Sequence, residues 1–230
     1  MVIILSPEEL SALYLSAQVA SFATLFCLPF AVVLAWYLAR YDFKLKFLVE
    51  ALLQLPMVLP PVVLGYLLLI IFGSQGWIGR YLQQLGLEFA FNWKGAVLAS
   101  MIVAFPLMVQ PIRLSFQLIN PQFEHVAGSL GASPMRVFLT ISLPLALPGI
   151  AIGSILCFSR SLGEFGATIT FVGNIPDETR TIPIAIYSFL QQAEGEQMAI
   201  RLVVLSLILA LSALIANYFI LQKYQQKLKG

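Results

Sequence analysis

Charge is scarce in this chain: 10% of its 230 residues are Asp, Glu, Lys or Arg, against 60% hydrophobic residues and a mean hydropathy of +0.90. That balance excludes a water-soluble globular domain and makes the bilayer the solvent. The net charge of +2 is too small to attract nucleic acid. There is a single histidine, His125, and there are two cysteines, Cys27 and Cys157, both inside apolar runs. The cysteines read as small buried hydrophobes rather than as a disulfide or metal ligands. With no second ligand at a useful spacing, His125 reads as a surface residue, and no metal or cofactor is expected. The dipeptide Gly-Lys does not occur, which excludes a phosphate-binding P-loop and an ATP motor within the chain. No paired nucleophile and base marks a membrane enzyme. Met1 to Glu9 carries no basic stretch but does carry Pro7, Glu8 and Glu9, so the first apolar run is expected to stay in the protein rather than leave as a signal peptide.

What is present is length of apolar sequence. Five stretches stand out, about Leu13 to Leu38, Val49 to Phe72, Gly95 to Gln117, Leu143 to Val172 and Ala199 to Leu221. A helix needs roughly 20 apolar residues to cross about 30 Å of hydrocarbon, so each is long enough to span. The expected fold is all-α: one polytopic membrane bundle over residues 1–230 with about five transmembrane helices. The fourth stretch contains Pro144, Pro148 and several glycines and is expected to form one long helix. Prolines also fall in the other spans, at Pro29, Pro56, Pro60, Pro61, Pro106 and Pro111. Each removes a backbone hydrogen bond that neighbouring helices, side chains or water must replace.

Orientation follows from where the cations sit. Arg40, Lys44, Lys46, Arg113, Arg136, Lys223, Lys227 and Lys229 fall on one side of the predicted spans, whereas only Arg80, Lys94 and Arg180 fall on the other. The first side is therefore predicted to be cytoplasmic, with the N-terminus outside and the C-terminus inside. Most acids, Glu8, Glu9, Glu88, Asp177, Glu178, Glu194 and Glu196, then face outward. Trp77 and Trp93 flank the outer loop and Trp36 lies near the inner end of the first span, where amphipathic rings prefer the interface.

The predicted cytoplasmic loop, about 120–140, has the punctuation of two short helices. Asn120 is a capping residue and Pro121 suits the first helical position. Phe123, Val126, Ala127 and Leu130 recur at helical spacing and form one apolar stripe, opposite Gln122, Glu124 and Ser129. Gly131 stands where a left-handed stop is needed, and Ser133-Pro134 restarts a second helix. An amphipathic helix of this kind lies on the membrane or enters a groove on a partner. It has no lysine, and a single arginine follows in the second helix, so a protein partner is favoured over anionic lipid. Glu124 in the first turn also suits the helix dipole.

The run Glu124, Ala127, Gly131, Ala132, Phe138, Ile141, Leu143, Pro144 resembles the EAA loop of ABC importer permeases; Val126 stands where many members carry alanine. The resemblance implies that Phe123, Glu124, Val126, Ala127, Leu130, Gly131 and Ala132 couple to a groove on a separate ATPase subunit. Over nearly its whole length the chain also resembles the permeases of molybdate importers, through Leu55-Pro-Met-Val-Leu-Pro-Pro61, Ser159-Arg-Ser-Leu-Gly-Glu-Phe-Gly-Ala-Thr168 and Asn174-Ile-Pro-Asp-Glu-Thr-Arg-Thr-Ile-Pro183. Sulfate permeases share much of the stretch from Leu162 to Ala167, while the last run and the short N-terminus look more like the molybdate branch. The family implies a type I importer in the bacterial inner membrane, with two ATPase copies, an external oxyanion-binding protein, a second copy of the permease and lipid as partners. Tungstate, and sulfate or thiosulfate, are the alternative cargoes.

Arg160 and Glu164 stand four residues apart inside the fourth stretch, on one face of the expected helix. A charge near the bilayer centre costs roughly 2.5–3.5 kcal/mol, so such residues face a protein interior or a wet cavity. Arg160 either lends positive potential to an oxyanion route or fastens helices through Glu164, with Ser161 and Thr168 as neutral donors nearby. An ion-driven transporter is the rival class. It is expected to carry internal repeats and several intramembrane carboxylates, whereas Glu164 stands almost alone.

The charge bias predicts the outcome of labelling. Reporter cysteines introduced singly as Ser6→Cys and Ser133→Cys, in a background lacking Cys27 and Cys157, are expected to react with an impermeant reagent in intact cells only at position 6. Reaction at 133 with protection at 6 would invert the topology.

Overall fold

The computed structural model describes residues 5–229; Met1–Ile4, Gly230 and the side chains of Lys223, Lys227 and Lys229 counted above lie outside what it describes. Helix α1, Pro7–Arg40, begins with a capping box. Ser6 Oγ accepts from the Glu9 N–H at 3.3 Å, and Glu9 Oε2 accepts from the Ser6 N–H at 2.7 Å, with Pro7 at the first helical position. Helices α2, Lys46–Val58, and α3, Pro61–Phe72, follow, then the short α4, Gly79–Gln84. Helix α5, Trp93–Leu118, is the central element and packs on α1 and α8. The loop helices α6, Pro121–Ser129, and α7, Pro134–Val137, lead through a π-helical turn, Phe138–Ser142, into α8, Leu143–Leu162. Helices α9, Gly166–Val172, α10, Ile182–Phe189, and α11, Glu196–Lys229, complete the bundle.

Contacts at the two ends fix how the chain threads. Arg40, the last residue of α1, meets the Ile119 carbonyl just beyond α5. At the opposite end Glu8 pairs with Arg180 at 3.2 Å, and Glu178 accepts from the Trp93 N–H at the head of α5. Helices α1 and α5 therefore run in the same direction, so α2 and α3 must carry the chain back between them. Helix α11 starts beside α1, where Arg201 grips buried Glu9 through two bonds of 2.8 and 3.1 Å. The chain thus runs the length of the bundle five times, four times in single helices or near-continuous ones and once through the bent α2–α3 pair, with Ser6 and the tail of α11 at opposite ends.

Three expectations need correction. The stretch Val49 to Phe72 is not one helix: α2 and α3 meet at 112°. Leu59 and Pro60 adopt extended angles (ψ 141° and 133°), because a residue before proline is pushed out of the helical region and here two prolines follow each other. The stretch Leu143 to Val172 is also not one helix, since α8 stops at Gly163 and α9 starts after Phe165. The second loop helix is not separate either; α7 continues into the span. Pro144 has no N–H to give Thr140, the turn opens by one residue, and the Leu143 N–H donates instead to the Phe138 carbonyl.

Lipid tails are as apolar as leucine, so helices here are held by close packing and hydrogen bonds rather than by exclusion from water. The closest approach is made by Gly149 and Gly153 of α8 against α5. A Cβ at Gly149 would stand 2.4 Å from the Pro111 carbonyl oxygen, and one at Gly153 would stand 2.6 Å from that of Met108. Around this crossing Val109, Ile112, Phe116, Ala146 and Cys157 are buried. Gly65 makes a similar approach to α9, where a Cβ would lie 2.5 Å from the Ala167 carbonyl oxygen. Helix α11 is different: beyond Ala199 and Leu202 most of its apolar side chains are exposed.

Overpacking this crossing is expected to destabilise the bundle. Gly149→Val should lower detergent-extracted stability by on the order of 1–3 kcal/mol. A melting temperature unchanged from wild type would show that the α5–α8 contact is loose.

Candidate functional site

The loop between α5 and α8 is built as its punctuation dictates. Asn120 Oδ1 accepts from the Gln122 N–H at 3.0 Å, and Ser133 Oγ accepts from the Arg136 N–H at 3.4 Å. Helix α6 ends in a double backbone clasp: Gly131 N–H to the Gly128 carbonyl at 3.0 Å, and Ala132 N–H to the Ala127 carbonyl at 3.1 Å. Gly131 has φ +86°, and an added Cβ would meet nothing within 4 Å. Glycine is needed there for its backbone angle and not for space.

No residue of α6 is buried. Most of its stripe faces away from the bundle, with Phe123 56%, Val126 59% and Leu130 84% exposed, while Ala127 is half-buried. The opposite side is tethered by Glu124. Arg40 Nη2 pairs with Glu124 Oε1 at 2.8 Å, Arg40 Nε reaches the same oxygen at 3.2 Å, and Ser142 Oγ donates to it at 2.6 Å. His125 is exposed and borders a small cleft of about 220 Å³ between α6, Trp36 and Phe138.

The second candidate region is the break between α8 and α9. Arg160 and Glu164 form an ion pair at 2.7 Å, but across the end of α8 rather than along one helix. The Glu164 side chain is 1% exposed and Arg160 32%. Glu164 Oε1 also accepts from the Ala167 N–H at 2.9 Å, so the carboxylate satisfies a free donor in the first turn of α9. Gly166 lies against Pro61 at the α2–α3 bend, where a Cβ would come 2.7 Å from the proline ring. The two broken spans therefore meet at their breaks. Many hydroxyls in the bundle donate to their own helix, as Thr24, Ser154 and Thr170 do. Buried Thr168 does not: its hydroxyl has no hydrogen-bond partner among the described residues. Buried Ser161 has only the weak Cys157 thiol beside it.

Residues 28–229 match the family described as binding-protein-dependent transport system inner membrane component. The chain belongs to this family. Among curated relatives of this permease, the molybdenum transport system permease protein ModB of Haemophilus influenzae is 52% identical over 221 residues, 96% of each chain. The protein of the same name from Escherichia coli K12 is 52% identical over 215 residues, 93% of this chain and 94% of that one. A probable sulfate transport system permease protein from Chlorokybus atmophyticus is 36% identical over 186 residues, 81% of this chain and 65% of its own length. Among solved structures, a bacterial ABC transporter that imports the polysaccharide alginate superposes with a TM-score of 0.71 at 18% identity, over 96% of this chain and 80% of that one. The inward-facing MetNI methionine transporter gives 0.67 at 17% identity, over 94% and 93%. At these identities the structures speak for the fold alone.

In this permease the predicted loop residues come together on one helix and its stop, and the predicted intramembrane residues gather at one helix break. Sequence reasoning missed the tether. From the sequence Arg40 reads only as part of the charge bias, and Glu124 as a residue suited to a helix dipole and implied in ATPase coupling; they are 84 positions apart, and nothing local joins them. It also missed Glu9–Arg201 and Arg113–Glu50. The Ser6-Pro-Glu-Glu9 pattern of a capping box was available as a signal for Glu9's place, though not for its partner.

The two bonds of Glu164 separate by substitution. Glu164→Gln keeps an acceptor for Ala167 and loses the ion pair, whereas Arg160→Ala leaves the carboxylate buried and unpaired. In a double-mutant cycle on detergent-extracted stability, the double variant Arg160→Ala/Glu164→Gln is expected to be more stable than Arg160→Ala alone. Strictly additive losses would mean that the pair carries no coupling.

Proposed function

We propose that this chain is the membrane-spanning permease of an importer that moves molybdate, or the like-shaped tungstate, into the cell. It works with a second copy of itself, receives cargo from an external oxyanion-binding protein, and is driven by two copies of a separate ATPase subunit. The end carrying Arg40, α6 and the tail of α11 is cytoplasmic, in keeping with the excess of Lys and Arg there. The observation that carries the mechanism is the loop helix: a largely exposed apolar stripe on a short, capped helix, tethered to the bundle through Glu124 on its polar side. Such a helix is shaped to enter a groove on a partner. The cargo rests on relatives 52% identical over at least 93% of this chain, set against 36% for the sulfate permease.

Phe123, Val126, Ala127 and Leu130 supply the docking face, while Gly131 and Ala132 set the angle at which α6 returns to the span. Arg160, a third exposed, borders the route or, as an intramembrane pair, fastens the helix break through buried Glu164, with Ser161 and Thr168 buried beside it. Arg160 is held by Glu164 on one side and keeps further donors on its partly exposed guanidinium, and the Thr168 hydroxyl has no partner among the described residues. Weak, multiple donors suit a conduit, which must release what it accepts.

Wild-type permease, co-expressed with an affinity-tagged ATPase, is expected to be retained with it and to support molybdate uptake that a tenfold excess of sulfate leaves intact. Gly131→Val should insert normally and lose uptake, because a β-branched residue at positive φ costs roughly 1–2 kcal/mol and misdirects α6. Wild-type uptake by the valine variant would remove the hinge role; preferential uptake of sulfate would replace the cargo.

A further inference from the structure

We infer that Arg40 is the positioning residue through which the loop helix moves the bundle: one carboxylate, Glu124, gathers the ends of α1, α5 and α8. The inference rests on the proposed docking of α6 to an ATPase. Arg40 closes α1 and places two nitrogens on Glu124 Oε1, at 2.8 and 3.2 Å. The same guanidinium lies 3.5 Å from the Ile119 carbonyl at the end of α5. Ser142, fully inside the structure, donates to the same carboxylate oxygen at 2.6 Å from the head of α8.

The pair is largely sheltered, with 13% of the Arg40 side chain and 21% of the Glu124 side chain exposed. That sets it apart from surface ion pairs that hold nothing. No residue of α6 is fully buried and only Glu124 and Ala127 are half-buried, so the Glu124 link is the strongest hold of this helix on the bundle. A push on its outer stripe is therefore delivered through Glu124. The π turn has a part in this: opening the helix by one residue upstream of Pro144 turns Ser142 toward α6. Arginine suits the post better than lysine, because its planar fork reaches two acceptors on different elements at once.

The test uses the transporter purified with its ATPase, reconstituted, and supplied with molybdate-loaded binding protein. Molybdate moved per ATP hydrolysed and ATPase retained on the permease are measured for wild type, Arg40→Lys, Arg40→Ala, Glu124→Gln and the Arg40→Ala/Glu124→Gln double. Arg40→Ala is expected to lower the transport ratio about tenfold while the ATPase stays bound, as the loss of a charge-assisted link permits. Arg40→Lys should fall between, and the double should be no worse than either single. Should wild type retain no ATPase, the docking reading fails and takes this inference with it. Should wild type couple and Arg40→Ala couple equally, this inference alone is overturned. Uncoupling by Glu124→Gln but not by Arg40→Ala also overturns it and puts the carboxylate directly on the ATPase. If Arg40→Ala does not assemble, a lysine variant coupling as wild type decides against the fork.

Discussion

Lipid tails offer no hydrogen bonds, so wherever this chain leaves helical geometry inside the membrane it must supply its own partners. The break after α8 is covered by Glu164, which receives the Ala167 N–H and holds Arg160. The break between α2 and α3 is made by prolines, whose missing N–H groups leave fewer donors to satisfy, and it is packed by Gly166 of α9. The π turn keeps the Leu143 N–H engaged by reaching one residue further back. Each irregularity is local, and each is matched to a neighbour that fills it.

The few charges of the chain are spent in the same way. Of the arginines, Arg40, Arg113, Arg160, Arg180 and Arg201 each face a glutamate; four of these pairs join elements that are remote in sequence, and Arg160–Glu164 bridges the break after α8. Breaking such a pair strands an unpaired charge where solvation is poor, which costs more than the pair is worth in isolation. A low charge content here does not mean that charge is unimportant: among the described residues, five arginines are spent on joining parts of the bundle.

How much of this was legible beforehand follows from range. The capped loop helix, its stop at Gly131 and its restart at Ser133 depend on residues within a turn or two of each other, and the punctuation states them. Arg160 and Glu164 were legible as neighbours because they are four apart, but the helix break between them was not. Apart from Arg160, Glu164 and a few hydroxyls, the composition from Leu143 to Val172 stays apolar, and Gly163 marks the break only once Glu164 is seen turned toward Ala167. The Arg40–Glu124 and Glu9–Arg201 pairs, 84 and 192 positions apart, carry no local signature at all. The folding of Val49 to Phe72 into two arms was hinted at by Pro60-Pro61, yet its 112° angle is set by what packs into the elbow.

That elbow has a consequence for how the protein is made. Arms of 13 and 12 residues rise about 20 and 18 Å, and neither alone matches about 30 Å of hydrocarbon. The insertion machinery reads summed hydrophobicity, and Val49 to Phe72 presents it with one sufficient segment. Helix α9, against which the elbow closes, is synthesised some hundred residues later. The packing that closes the elbow, Gly166 against Pro61 and Gly65 against Ala167, can therefore form only after the second half of the chain has been made.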